Sequence, residues 1–294
     1  MALATLIRSR GSSYRRPGAR MLIRTDGSTV GSLSGGCLEE EVAQCALQVL
    51  RTGKPSLMHF DTRRRFGCNG SIEIFVERAR DDFFAAIATS WRARRGFRAV
   101  TVVAEDEQQS GSRVLGLEEI TPQGAFVQDI EPPVRLIIFG DGPDSHPLRM
   151  MSELLGWSVI EVEHAAELPT QVDARTAAVI KSHNYGRDCA ALRQLLELNL
   201  RYVGLLGPRR RRDEILGDLL DSGVSISAEL FAPAGRDFGA ETPEEIALSI
   251  VAEIQALFAE ASGESLRDRN APIHGWNLVR PDPITVEQCE TSRP

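Results

Sequence analysis

From residue 134 onward, short apolar runs of strand length alternate strictly with stretches of helical periodicity, and few folds accommodate that order. Strands are read at residues 134–139, 157–162, 177–181 and 201–206, with helical patterns between them. Strands joined in sequence through helices run parallel and need apolar cover, so this part of the chain predicts a Rossmann-like, doubly wound parallel sheet. Its last helix is announced by Thr242-Pro243-Glu244-Glu245, where Thr242 serves as N-cap, Pro243 takes the first helical position and Glu245 closes a capping box. Ile246, Ile250, Ile254 and Leu257 or Phe258 then form a buried stripe.

The first third has a different rhythm. Strand-like runs at residues 4–9, 19–24 and 29–33 surround the turn Asp26-Gly27, and residues 37–50 place Leu38, Val42, Cys45 or Ala46 and Val49 on one helical face before Gly53. Strands follow at 56–62 and 71–77, a helix at 82–94 and a strand at 97–104. Helices and strands are not strictly alternated, which predicts an N-terminal α+β domain. The fold class is therefore α/β in two parts: residues 1–105, a linker and edge excursion over 106–133 ending in Pro132-Pro133, the Rossmann-like domain over 134–262, and a tail over 263–294.

Charge narrows the functional classes. Lysine and arginine number 34 against 41 aspartates and glutamates, a net charge of −7 that supplies no broad footprint for nucleic acid. No apolar run approaches the length of a membrane span, and the first residues lack a secretory signal. The five cysteines include no C-x-x-C pair, which fits a reducing cytoplasm better than a disulfide framework or zinc ribbon.

Two regions carry residues suited to chemistry. In the second domain, Gly140-Asp141-Gly142-Pro143-Asp144-Ser145 follows a strand and opens a helix, the context of a dinucleotide-binding turn, with Ser145 where the third glycine belongs. Glu161 or Glu163 lies at the distance expected for an acid that binds a ribose. His183, in Ser182-His183-Asn184-Tyr185, begins just after another strand and either transfers a proton or caps backbone groups. Arg209 opens a run of arginines at a helix N-terminus, read either as a phosphate site or as a solvated basic turn paired with Asp213 and Glu214.

In the first domain, Ser34-Gly35-Gly36-Cys37-Leu38-Glu39 combines an anion-binding nest with a cysteine at a helix start, which gains thiolate character from the dipole while Glu39, Glu40 and Glu41 oppose it. Such a thiolate binds a soft metal centre or accepts sulfur; alternatively Cys37 is a small residue filling space under a glycine-rich turn. Gly67-Cys68-Asn69-Gly70 offers a second cysteine, and Arg15, Arg16 and Arg20 in the loop Gly11-Ser12-Ser13-Tyr14-Arg15-Arg16-Pro17-Gly18-Ala19-Arg20-Met21 suit oxyanions. No catalytic triad or acid/base couple stands out.

Taken together, GSSYRRPGARM, SGGCLE, the GC-x-G turn, SHNY, YVGLLG and TPEEIALSI run in order along the chain. In them the chain resembles the XdhC/CoxI family, the xanthine dehydrogenase accessory proteins that handle molybdenum cofactor. The resemblance implies a homodimeric chaperone that binds molybdenum cofactor, holds it during sulfuration and delivers it to a xanthine dehydrogenase-type molybdoenzyme. It carries the family's cysteines onto Cys37 and Cys68, as contacts to the metal or its sulfur, and its Rossmann glycines onto Gly140 and Gly142. Arg15, Arg16 and Arg20 then steady the cofactor's phosphate and pterin. Two departures are Pro208 where a serine often follows YVGLLG, and Asn69 in place of glycine. The rival reading is an NAD(P)-dependent oxidoreductase acting through Gly140, Gly142, Glu163 and His183. A third is an adaptor that docks a cysteine desulfurase and the target enzyme.

Overall fold

The computed structural model describes residues 1–11, 13–61, 70–104, 106, 109–224, 230–268 and 270. The chain divides into two units, one within residues 1–131 and one beginning at Pro132.

The first unit is organised by β1 (Ala2–Gly11), whose alternate side chains face two different cores. It pairs antiparallel with β2 (Arg20–Ile23) and β5 (Gly70–Arg78); β3 (Thr29–Gly31) and β4 (Ser56–Asp61) complete a sheet of order β3-β2-β1-β5-β4. On one face Ala4, Leu6, Met21, Ile23, Ile74 and Val76 pack with Val42, Ala46 and Val49 of helix α1 (Glu39–Thr52). That helix ends where the sequence puts its stop, at Gly53, whose φ of 82° is the left-handed conformation that glycine supplies at lowest cost. On the other face Leu3 meets Phe83 of helix α2 (Asp81–Arg92) and Phe97 and Ala99 of β6 (Phe97–Val102).

The stretch read as a linker and edge excursion carries two edge strands. Within residues 106–133, β7 (Gly111–Leu115) and β8 (Phe126–Ile130) flank β6 on either side and form a three-stranded antiparallel sheet. The strands are short and polar outside, so their pairing depends on β6 rather than on their own periodicity.

The second unit bears out the parallel sheet. β9 (Arg135–Phe139), β10 (Ser158–Val162), β11 (Thr176–Ile180), β12 (Tyr202–Leu205) and β13 (Leu230–Phe231) lie in the order β10-β9-β11-β12-β13, each pair parallel. Leu136 and Ile138 face helices α3 (Ser145–Leu154) and α6 (Pro243–Phe258), where Leu148, Ala247, Ile250 and Ile254 are buried. Ile137 and Phe139 face α4 (Tyr185–Glu197) and α5 (Arg209–Asp221), where Leu192, Leu195, Ile215 and Leu219 are buried. The capping box of Thr242 and Glu245 forms as the sequence predicts. The strand order reverses direction between β9 and β11, and a doubly wound sheet collects ligands at the carboxyl ends of its strands at such a switch point.

Candidate functional sites

At the switch point the turn after β9 is filled by the protein's own charges. Lys181, only 2% exposed, donates from Nζ to the Asp141 carbonyl at 3.1 Å and to Asp144 Oδ1 at 2.8 Å. Arg187 on α4 reaches back with Nη1 to Asp141 Oδ1 at 3.1 Å and with Nη2 to the Glu163 carbonyl at 2.7 Å. Burial alone would raise the Asp144 pKa, but the hydrogen bond and charge of Lys181 hold it below the usual carboxylate range. Asp141 is lowered too, first by its own backbone N–H and then by Arg187.

Gly140 is required by close packing. Gly140 has φ of 119°, and a Cβ on it would stand 2.7 Å from the backbone N and Cα of Ser182. Gly140→Ala is therefore expected to destabilise the second unit by about 3 kcal/mol, from overpacking and backbone strain together. Urea unfolding checks this. Gly142 faces Asp144 Oδ1, and the Ser145 hydroxyl turns back to the Gly140 carbonyl at 3.4 Å.

Of the other residues that the sequence singles out, Glu163 has an exposed side chain and engages Arg187 through its carbonyl. His183, at φ of 55°, brings Nε2 within 3.6 Å of Asp144 Oδ2. Arg209 is exposed and has no polar partner among the described residues. Arg210 pairs with Glu214 and Arg212 with Asp213, as the solvated reading has it, whereas Arg211 pairs with the buried Asp188. Motif reasoning misses Lys181, Asp144 and Arg187. Lys181 gives one signal, a charge ending an apolar strand.

The Asp144 pairing has a pH signature. A carboxylate whose folded pKa is lowered contributes stability that is present at neutral pH and is lost as pH falls through the ordinary carboxylate range toward the lowered folded value. Asp144→Asn is expected to flatten that acid limb, as read from melting temperature against pH.

In the first unit, Leu33 and Leu38, each 1% exposed and rooted in the core, clamp a projecting loop in which Gly35, Gly36 and Cys37 are exposed. The Tyr14 ring lies beside Gly35, 4.0 Å from where its Cβ would be, so the loop bearing Arg15 and Arg16 adjoins the cysteine loop. Both arginines are exposed. Arg20 is directed inward instead: Nη1 donates to the Gly18 carbonyl at 3.0 Å and to Gln128, while Nε and Nη2 are buried without a partner among the described residues. Burial pushes its pKa down, opposed by the charge of Glu77, and burial likewise pushes Glu77 up.

Cys37 donates weakly to Ser34 Oγ at 3.6 Å. The loop's N–H cradle, which the sequence offers to a ligand, is taken by Glu39, whose carboxylate accepts from the N–H groups of Leu33, Ser34 and Leu38 and from the Ser34 hydroxyl. Burial would raise the Glu39 pKa, but the hydrogen bonds from Ser34 and the neighbouring backbone lower it. Cys68 lies outside the described residues. An exposed thiol on one loop and two exposed guanidiniums on the loop that adjoins it can present a soft ligand to a metal and counter-charges to a phosphate.

Comparison with known proteins matches both units. A family model described as the XdhC and CoxI family matches residues 1–61, and one described as the XdhC Rossmann domain matches residues 136–254. A Bacillus subtilis protein, named as a probable subunit of xanthine dehydrogenase, is 32% identical over 86% of this chain and 91% of its own length. The Escherichia coli molybdenum cofactor insertion chaperone PaoD is 27% identical, over 87% of this chain and 82% of its own. A crystal structure described as a xanthine dehydrogenase from Bacillus halodurans superposes with a TM-score of 0.74 at 26% identity, covering 90% of this chain and 94% of that one.

Proposed function

The chain belongs to the XdhC and CoxI family, and from that premise we propose that it is an accessory protein that carries molybdenum cofactor as cargo to a xanthine dehydrogenase-type molybdoenzyme. The observation that carries the reading is the exposed Cys37 at the tip of a loop anchored by Leu33 and Leu38. Its thiolate is a soft ligand matched to a metal that bears sulfur. Arg15 and Arg16, on the adjoining loop, supply donors for the cofactor's phosphate. The names of PaoD and of the Bacillus subtilis relative support the same role.

In this proposal the cofactor is held while it is sulfurated, so a cysteine desulfurase is a transient partner. Cys68 is the second thiol, and the working form is a cytoplasmic homodimer.

A nucleotide in the second unit is disfavoured. The strand order and the two glycines suit one, but Asp141 and Asp144 put carboxylates in the turn where a pyrophosphate would sit, and Lys181 and Arg187 are already paired to them. Restoring oxidoreductase activity by adding NADH or NADPH would support that rival.

The test is transfer. Protein loaded with molybdenum cofactor is mixed anaerobically with a cofactor-free molybdenum hydroxylase, with free cofactor as the comparison. Faster or more complete activation from the loaded protein is expected; activation no better than from free cofactor would remove the delivery role.

A further inference from the structure

A glycine-rich turn ahead of a helix ordinarily leaves backbone N–H groups pointing at solvent, ready for a phosphate or another oxyanion. Between β3 and α1 the turn closes on a side chain of its own. Glu39 Oε1 accepts from the N–H of Leu33 at 3.1 Å and of Ser34 at 2.8 Å; Oε2 accepts from the N–H of Leu38 at 3.1 Å and from the Ser34 hydroxyl. Ser34 Oγ in turn accepts from the N–H of Gly36 at 3.2 Å and from the Cys37 thiol.

The donors are not interchangeable with solvent partners. Leu33 and Leu38 are each 1% exposed and Ser34 is 8% exposed, so solvent does not replace Glu39 at these N–H groups without moving core residues, although the Leu38 N–H also reaches Ser34 Oγ at 3.3 Å. The carboxylate also stands in the first turn of α1, where the helix dipole favours negative charge. Its neighbour Glu40 occupies the same turn, yet it is exposed and makes none of these bonds.

We propose that Glu39 is the positioning residue of the Cys37 loop: its carboxylate is an internal anion that closes the turn to phosphate and other oxyanions, so the loop offers a cofactor its thiol and not its N–H cradle. This rests on the reading of Cys37 as the cofactor contact. It follows that the cofactor's phosphate is held by groups outside this cradle, and that the loop keeps one shape whether or not cargo is present.

The experiment uses the full chain and a readout that does not involve the cofactor. Melting temperatures of wild type, Glu39→Ala and Glu40→Ala are measured against rising formate and inorganic phosphate at constant ionic strength. Glu39→Ala is expected to melt lower by about 4 °C and to regain at least half of that loss saturably as either anion fills the vacated cradle. Wild type and Glu40→Ala are expected to show only the shallow, unsaturable rise that excluded salts give folded proteins.

Loss of stability in Glu39→Ala without anion rescue would overturn the proposal, as would saturable stabilisation of wild type by phosphate of the same size. Should Glu39→Ala not fold, Glu39→Gln serves. Its amide has one accepting oxygen, so either the Leu33 and Ser34 N–H groups or the Leu38 N–H and Ser34 hydroxyl face an NH2 that cannot accept, and it is expected to melt below Glu40→Gln; equal melting would count against the proposal. A chain that passes these tests yet binds no cofactor loses its proposed function while Glu39 keeps its role. A chain that binds cofactor through Cys37 yet fails them leaves the reverse.

Discussion

Cys37→Ser is expected to weaken the binding of molybdenum cofactor by about tenfold or more, ~1.4 kcal/mol, while leaving the melting temperature within about 1 °C of wild type. The asymmetry follows from where the thiol sits. Cys37 is exposed, and its hydrogen-bond partner among the described residues is Ser34 Oγ at a weak 3.6 Å. Serine has nearly the same size and keeps a donor, so the loop held by Glu39, Leu33 and Leu38 is retained. What is lost is the soft, deprotonable sulfur, which a serine oxygen does not replace as a ligand for a metal that carries sulfide. Anaerobic equilibrium titration measures the affinity and a thermal melt checks the fold. Unchanged affinity with an unchanged melt would place the cofactor elsewhere.

Asp188→Ala is expected to cost about 3 kcal/mol in the second unit, the largest stability loss expected there from truncating a single side chain. Asp188 is fully buried and accepts from the Ser182 hydroxyl and from Arg211. It thereby ties the end of β11 to the first turns of α4 and α5. Alanine removes the carboxylate that faces the Arg211 guanidinium, which is 22% exposed on its side chain, and leaves Arg211 and the Ser182 hydroxyl only the weaker bonds to the His183 and Asn184 carbonyls at 3.4 and 3.3 Å. The cost is mostly that of the stranded partner and not the worth of the pair itself. Urea denaturation should show a lower midpoint with little change in slope, and Asp188→Asn should lose less because the amide oxygen still accepts one bond. A loss below about 1 kcal/mol would mean that Arg211 finds solvent freely.

How far the sequence reaches depends on whether an interaction is local. The α6 start is legible because a capping box needs residues three apart, and Thr242 and Glu245 are three apart. The parallel sheet is legible because each strand and its crossover helix are contiguous. β7 and β8 are not, since two strands of five residues each acquire meaning only beside β6. The candidate sites divide the same way. Cys37 and its glycines stand together in the chain, and the loop is found where the pattern puts it.

The occupant of that loop is not legible: as a pattern the acidic run reads as repulsion against a thiolate, whereas Glu39 turns back over five residues to satisfy the cradle. In the second unit the glycine pattern suggests a pyrophosphate, but Lys181 and Arg187, 37 and 46 residues further on, are what neutralise Asp144 and Asp141. Arg20 groups with Arg15 and Arg16 by proximity, and only the alternation along β2, which turns Arg20 to the face opposite Met21 and Ile23, explains why it points to Gln128. Charges are placed by tertiary partners, which periodicity does not encode.

The most direct test of the account is an anaerobic titration of the wild-type chain with molybdenum cofactor, repeated with NADH and NADPH as competitors. Saturable binding of about one cofactor per chain, untouched by either nucleotide, is the result predicted from an exposed thiol loop in the first unit and a self-neutralised turn in the second. Tight nucleotide binding with no affinity for the cofactor would contradict it, moving the function to the switch point of the parallel sheet and leaving the cysteine loop as packing.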